Sequence, residues 1–398
     1  MTIEAFLFTL VAILGSAKLL GELAERIGQP AVLGELVAGV LLGGSVLGIV
    51  DPNEEVIHLL AEIGVIVLLF EIGLETDLRR LLKVGAASSV VAAVGVAAPF
   101  LLGYLVGSYL GLSDLQGVVA GAALTATSVG ITARVLADLG RLQEPESQVV
   151  LGAAVIDDVI GLIILAVVGQ LVAGTEVTAG SVALTTVLAF GFLGVTLLVG
   201  RMVVPPAFRW LETLGRSGTL ATMALVLAFV TAYLADAAGS ALIVGAFAAG
   251  LILAPTPQAE PIQRGVVSLG QFFVPIFFVS VGAAVELQSF LEPGVLVIGL
   301  ALIAAAVIGK VAAGYAPVWF KGRKIVIGVG MVPRGEVGLI FAQMGLTSGV
   351  LDAGLYSAVT LMVLVTTFIA PPLLKALFPK GAAPGPSPGG VAEMTTEA

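Results

Sequence analysis

Cysteine is absent from this chain, so no disulfide, thiolate metal site or thiol nucleophile is open to it, and its redox compartment leaves no trace. Charge is scarce. Only 11% of residues are charged and 58% are hydrophobic, whereas about a quarter of a soluble domain is charged. The start, MTIEAFLFTLVAILG, lacks a basic n-region and a clear small-residue cleavage site, so it reads as a retained first span and not a leader. The net charge of −9 is spread over many loops and gives no reason to expect a nucleic-acid partner. Glycine runs such as GVGMVPRG do not lie between a strand and a helix, which excludes a nucleotide-binding loop. The one histidine, His58, falls near an outer loop and reads as an interfacial side chain.

What remains is a polytopic, all-α membrane protein whose partner is the lipid bilayer. Its 51 glycines suit close helix packing and broken helices. The stretch organising the chain is VVLGAAVIDDVIGLIILAVV, residues 149–168, long enough to span a bilayer and interrupted only by Asp157 and Asp158. A carboxylate at mid-membrane costs roughly 2.5 to 3.5 kcal/mol on insertion scales. Helix neighbours point about 100° apart, so one of these acids can meet a buried cation while the other faces a cavity. A turn between two half-length segments is the bland alternative, but neither flank carries turn residues.

Apolar segments fall at 3–26, 31–49, 57–75, 82–109, 115–138, 146–173, 180–203, 219–238, 241–254, 262–285, 291–320, 323–347 and 352–378. Charge supports about thirteen crossings over twelve. Loop-borne Lys and Arg, from Lys18 and Arg26 through Arg80, Arg141, Arg216 and Lys324 to Lys380, all fall on one side. The opposite loops, around Asp51, Asp114, Glu176, Asp236, Glu286 to Glu292 and Asp352, hold none. The positive-inside rule then puts the N-terminus outside and the C-terminus in the cytoplasm.

Two basic residues remain inside spans: Lys310, proposed to pair with one of the two aspartates, and Arg334, with Glu336 two residues on. Intramembrane ionisable groups mark ion or proton paths by default. Arg334 and Glu336 also admit a purely structural reading. The fifth segment places Thr125, Thr127, Ser128 and Gly130 mid-membrane, and the twelfth places Pro333 and Gly335 there. Pro removes a backbone donor and Gly tolerates unwinding, so both helices are expected to break. Broken helices at matching positions of two halves indicate an inverted-repeat secondary transporter, with five-helix repeats in spans two to six and nine to thirteen.

The motifs AAVIDDVIGLIILA, TATSVGITARVL, IGKVAAG, PRGEVGLI, QPAVLGELVAGVLLGGSVLG and LLFEIGLE together resemble the monovalent cation/proton antiporter-2 family over nearly all of residues 1–378. The resemblance implies a sodium/proton antiporter-like fold and a non-enzymatic exchange of Na⁺ or Li⁺ for H⁺ without a cofactor. It implies Asp158 as the ion-binding acid, Asp157 as the acid paired with Lys310, Thr127 and Ser128 on the unwound stretch, and sodium held at Asp158 and Asp157. Arg334, Glu336 and Pro333 lie on the opposite broken helix, in a structural or electrostatic role. Glu71 departs from the pattern and adds a carboxylate near the path, as possible lining. The resemblance further implies a homodimer in a bacterial cytoplasmic membrane. Its dimerisation scaffold is residues 1–81 and, with a linker helix, 174–290; its ion-binding core is 82–173 and 291–378. Residues 379–398 read as a disordered tail, with no soluble regulatory domain in this chain.

Two acids with a lysine suggest two protons per sodium and electrogenic exchange. Potassium/proton exchange on the same fold is the runner-up, since ligand number and cavity size decide the ion. A passive cation channel is a distant alternative that Lys310 would oppose. An intramembrane aspartyl protease would need its two acids on different helices.

Overall fold

The structure, a computed structural model, describes residues 2–172, 178–212, 219–285 and 292–378. The segments with Glu176 and Arg216, that from Glu286 to residue 291 and that from Pro379 onward lie outside the described residues. In chain order the helices are α1 (Ile3–Arg26), α2 (Ala31–Leu42), α3 (Glu55–Glu75), α4 (Leu78–Lys83), α5 (Gly85–Tyr109), α6 (Asp114–Ala123), α7 (Val129–Asp138) and α8 (Pro145–Val172). They continue as α9 (Ala179–Glu212), α10 (Thr219–Ala237), α11 (Leu242–Leu253), α12 (Ala259–Ala283), α13 (Pro293–Tyr315), α14 (Lys324–Gly330), α15 (Glu336–Thr347) and α16 (Ala353–Leu377). No strand occurs among the described residues.

Nine of these helices are long and apolar enough to cross a bilayer: α1, α3, α5, α8, α9, α10, α12, α13 and α16. The other four apolar segments hold something shorter. The second and ninth hold α2 and α11, of 12 residues each. The fifth and twelfth are broken, into α6 and α7 and into α14 and α15, at residues 124–128 and 331–335. Starts are fixed locally. Ser113 and Gln116 form a reciprocal capping box on α6, and Asp352 accepts from Leu355 N at 2.7 Å to cap α16.

The helices sort into two packed groups. One comprises α1, α2, α3, α10, α11 and α12, with its core around Phe70, Phe247 and Phe278. The other comprises α5, α6, α8, α13, α14, α15 and α16, with a core around Leu302, Phe341 and Met362. Helix α9 packs on α8, α10 and α11, and α7 lies at the seam, touching α2 and α3 on one side and α8 and α16 on the other.

Packing repeats under an exchange of halves. The contacts α2 with α12, α5 with α8 and α5 with α6 recur as α11 with α3, α13 with α16 and α13 with α14. The correspondence reaches one helix further than the five expected, because α1 on α2 and on α12 recurs as α10 on α11 and on α3. Its cause can be read from two 12-residue sequences, AVLGELVAGVLL and LIVGAFAAGLIL, with glycine at matching positions. A Cβ on Gly34 would lie 2.1 Å from Leu20 O and one on Gly245 would lie 2.2 Å from Thr231 O. Likewise Gly39 would meet Val279 O at 2.2 Å and Gly250 would meet Phe70 O at 2.4 Å. Small residues here let backbones touch.

At one end of the second group, a clasp joins separate chain segments. Arg323, just before α14, donates to Leu377 O at 2.8 Å and to Glu144 Oε2 at 3.1 Å, and its backbone N donates to Glu146 Oε1 at 2.8 Å. The Phe378 ring sits under the guanidinium groups of both Arg323 (4.8 Å) and Arg141 (5.6 Å).

Candidate ion site at the crossing of the broken helices

The two breaks meet back to back. Ser128 N donates to Pro333 O at 2.8 Å, Thr127 Oγ1 to Met331 O at 3.3 Å and Thr132 Oγ1 to Gly330 O at 2.7 Å. Thr367 on α16 closes the second break by donating to Arg334 O at 2.6 Å. These bonds satisfy carbonyls that the interrupted α14 leaves without helical partners, as buried backbone requires. They also engage three carbonyls of the second break and that of Gly330 at the end of α14, so oxygen for a cation must come chiefly from side chains and from the first break.

Helix α8 runs unbroken past this crossing and presents its two acids on different faces. Asp157 points to α13, where Lys310 Nζ lies 3.1 Å from Asp157 Oδ2 with both side chains 0% exposed. Gly95 on α5 lies against the lysine: a Cβ there would be in ordinary contact with Nζ, at 3.5 Å. Asp158 instead lines a narrow cavity with Thr127, Ser128, Val65, Ile243 and Phe277. The cavity, about 10 Å³ for water-sized occupants, has room for about one water. Val65, Ile243 and Phe277 come from the first helix group, so the cavity lies between the two groups.

The expected site residues are therefore only partly brought together. Asp158, Thr127 and Ser128 share the cavity; Asp157 is engaged by Lys310 and is absent from the lining. Pro333 lies buried in the second break. Arg334 is wholly buried there, with Nη1 donating to Met331 O at 3.1 Å. The side chain of Glu336 lies outside the described residues. Glu71 stands apart from the cavity. It is six residues past Val65, about 240° round the helix, and its carboxylate lies against Gly270 of α12. Gly130 belongs to the first turn of α7 and not to the break.

Other polar groups escaped the sequence reading. Glu35, on α2, is buried with Oε2 unbonded. It interacts electrostatically, as does Glu71, with Arg134 of α7, which pairs with Asp138 at 3.0 Å. The lone acid in AVLGELVAGVLL was a signal that could have found it. Among the described residues, no group of three or more His, Cys, Asp or Glu gathers as a resident metal site. The donor set around Asp158, one carboxylate with two hydroxyls, is all oxygen, the ligand type that hard cations take.

Comparison with known proteins gives the family. The chain is 41% identical over 420 aligned positions to the high-affinity Na⁺/H⁺ antiporter NhaS3 of Synechocystis sp., covering 95% of this chain and 91% of that protein. It is 38% identical to the Na⁺/H⁺-K⁺ antiporter GerN of Bacillus cereus over 94% of this chain and 96% of that one. In fold it is similar to the sodium proton antiporter MjNhaP1 from Methanocaldococcus jannaschii, with a TM-score of 0.74, 18% identity, and coverage of 94% and 96% of the two chains. The family described as sodium/hydrogen exchanger, transmembrane, matches residues 9–380. With that match and relatives alike along nearly its whole length, the chain belongs to the sodium/hydrogen exchanger family, whose members exchange cations for protons across membranes.

Proposed function

We propose that this protein exchanges Na⁺ for two protons per cycle, with Asp158 as the carboxylate over which Na⁺ and H⁺ compete and Lys310 as carrier of the second proton. The observation that carries the reading is the wholly buried Lys310–Asp157 pair one residue from the cavity acid Asp158. Desolvation favours the neutral forms of both partners while pairing favours the charged forms, so a small rearrangement moves a proton. Na⁺ on Asp158 adds positive charge beside Lys310 and promotes loss of its proton. Return of protons to Asp158 and Lys310 releases Na⁺. Thr127 and Ser128 contribute hydroxyl oxygens to the ion.

Alternating access moves a core of 82–173 and 291–378 against a scaffold of 1–81 and 174–290. The seam supports this. Within the first group, glycines put backbone against backbone, whereas a Cβ on Gly130, at the seam, would have as its nearest neighbours the side chains of Leu68, Leu69 and Phe277 at 3.7 to 3.8 Å. Side-chain contacts of that kind can slide; interlocked backbones cannot. The protein works as a homodimer in a bacterial cytoplasmic membrane, N-terminus outside.

The test is proton flux in proteoliposomes titrated with Na⁺, Li⁺ and K⁺ under an imposed voltage. At one net charge per cycle, 100 mV contributes about 2.3 kcal/mol, so insensitivity to voltage would remove the two-proton stoichiometry. A second reading, K⁺ in place of Na⁺, has support from the similarity to GerN, whose name includes both ions. The K⁺ arm of the titration decides it.

A further inference from the structure

Arg334 has no part in the exchange cycle above, yet it is the largest wholly buried side chain among the described residues. Its Nη1 is bonded to Met331 O, while Nε and Nη2 donate to nothing. Nearby, Asp157 shows the complementary deficit: Oδ2 accepts from Lys310, and Oδ1 accepts from nothing. Arg334 attracts Asp157 and repels Lys310. A buried guanidinium with two idle donors and a buried carboxylate with an idle oxygen are each unfavourable alone, and each supplies what the other lacks.

We infer that Arg334 is a positioning residue for the exchange: it is the standing counter-charge of Asp157, acting on it through the low-dielectric interior and not through a direct hydrogen bond, and it holds that acid compensated when Lys310 is neutral.

Charge counting over Asp157, Asp158, Lys310 and Arg334 shows what this achieves. In the proton-loaded state Asp158 is protonated and Lys310 charged, so the four sum to +1. In the sodium-loaded state Lys310 has released its proton and Na⁺ sits on Asp158, so site and ion sum to 0. Without Arg334 the sodium-loaded state would carry −1, with Asp157 stranded in a low-dielectric interior. The sodium-bearing half of the cycle is the one that depends on Arg334.

The experiment uses the full-length protein in proteoliposomes and in detergent. Na⁺-driven proton flux is measured for Arg334→Gln and Arg334→Lys. Na⁺-induced thermal stabilisation, which does not need turnover, is measured for Arg334→Gln alone and combined with Asp157→Asn or Glu336→Gln. Arg334→Gln should cut maximal Na⁺-driven flux about tenfold, a coupling typical of charges in one network, and Arg334→Lys should restore most of it. Arg334→Gln should also weaken Na⁺-induced stabilisation, and this effect should vanish in the Asp157→Asn background while persisting with Glu336→Gln. Persistence with Asp157→Asn, or loss only with Glu336→Gln, would overturn the inference and make Glu336 the partner. So would a folded Arg334→Lys protein as slow as Arg334→Gln. The inference rests on the proposed exchange, but absence of Na⁺-dependent flux in the unaltered protein would mark failure of that reading, whereas the variant pattern fails separately.

Discussion

Replacing Lys310 by methionine keeps most of the stem's volume and removes only the charge, which isolates the energy of the buried pair. With a 3.1 Å contact and neither side chain exposed, the aspartate left behind is shut off from bulk solvent. Its Oδ1 already accepts no hydrogen bond, so the substitution would leave both oxygens idle. Removing one member of a buried pair costs roughly 3 to 5 kcal/mol, and attraction from Arg334 places the expectation for Lys310→Met near the lower end of that range. Adding Asp157→Asn removes the stranded charge and should recover at least half of the loss. Lys310→Ala should cost about 2 to 5 kcal/mol more, the usual range for emptying a methionine-sized volume, and Asp157→Asn should not recover that part. The assay is thermal unfolding in detergent, followed by fluorescence of Trp210 and Trp319 at one fixed heating rate, since such unfolding is commonly irreversible. If Lys310→Met is as stable as the unaltered protein, or if Asp157→Asn recovers nothing, the pair does not hold an uncompensated charge and the reasoning fails.

Asp158→Asn should abolish Na⁺-dependent proton flux while leaving the protein folded; flux retained in that variant removes Asp158 as the ion ligand. Cysteines placed near Asp51 or Asp114 of this cysteine-free chain should react with an impermeant thiol reagent from outside, and those near Arg80, Arg141 or Lys324 should not. Labelling that reverses after any one segment shows the crossings to be miscounted. Gly39→Ala and Gly250→Ala push a methyl into backbone oxygens of Val279 and Phe70 and should each cost about 1 to 3 kcal/mol by overpacking. Gly130→Ala, whose added carbon would make only ordinary contacts, should cost well under 1 kcal/mol. Equal losses at all three positions in thermal unfolding would deny the contrast between interlocked interiors and a loose seam.

Much of the site could be read before any coordinates, because charge and proline stand out against an apolar background. Asp157, Asp158 and Lys310 were visible as costly groups inside spans, and the 100° between helix neighbours was enough to give the two acids different surroundings. Pro333, Gly335 and the Thr125–Ser128 run marked where two helices break. What hid was set by shape and not by polarity. The glycine pattern shared by α2 and α11 adds no polarity, so the sixth pair of corresponding helices became visible only through which backbones touch. Glu71 looked like path lining because sequence order gives no absolute rotation of α3. The bonds of Thr132 and Thr367 to Gly330 O and Arg334 O join residues 198 and 33 positions apart, beyond the reach of any local rule.

The clasp around Phe378 has a mechanical consequence. Its charged side chains come from the turn before α8, the first turn of α8 and the approach to α14, and they hold Leu377 O and the Phe378 ring at the end of α16. A fluorophore attached at Phe378 therefore reports on the helix group that bears the aspartates, the one proposed to move. Paired with a second dye on the exposed face of α1, it would turn the proposed movement into a change of distance, so that a stroke length could be read from one molecule at a time, and a constant distance during transport would deny that movement.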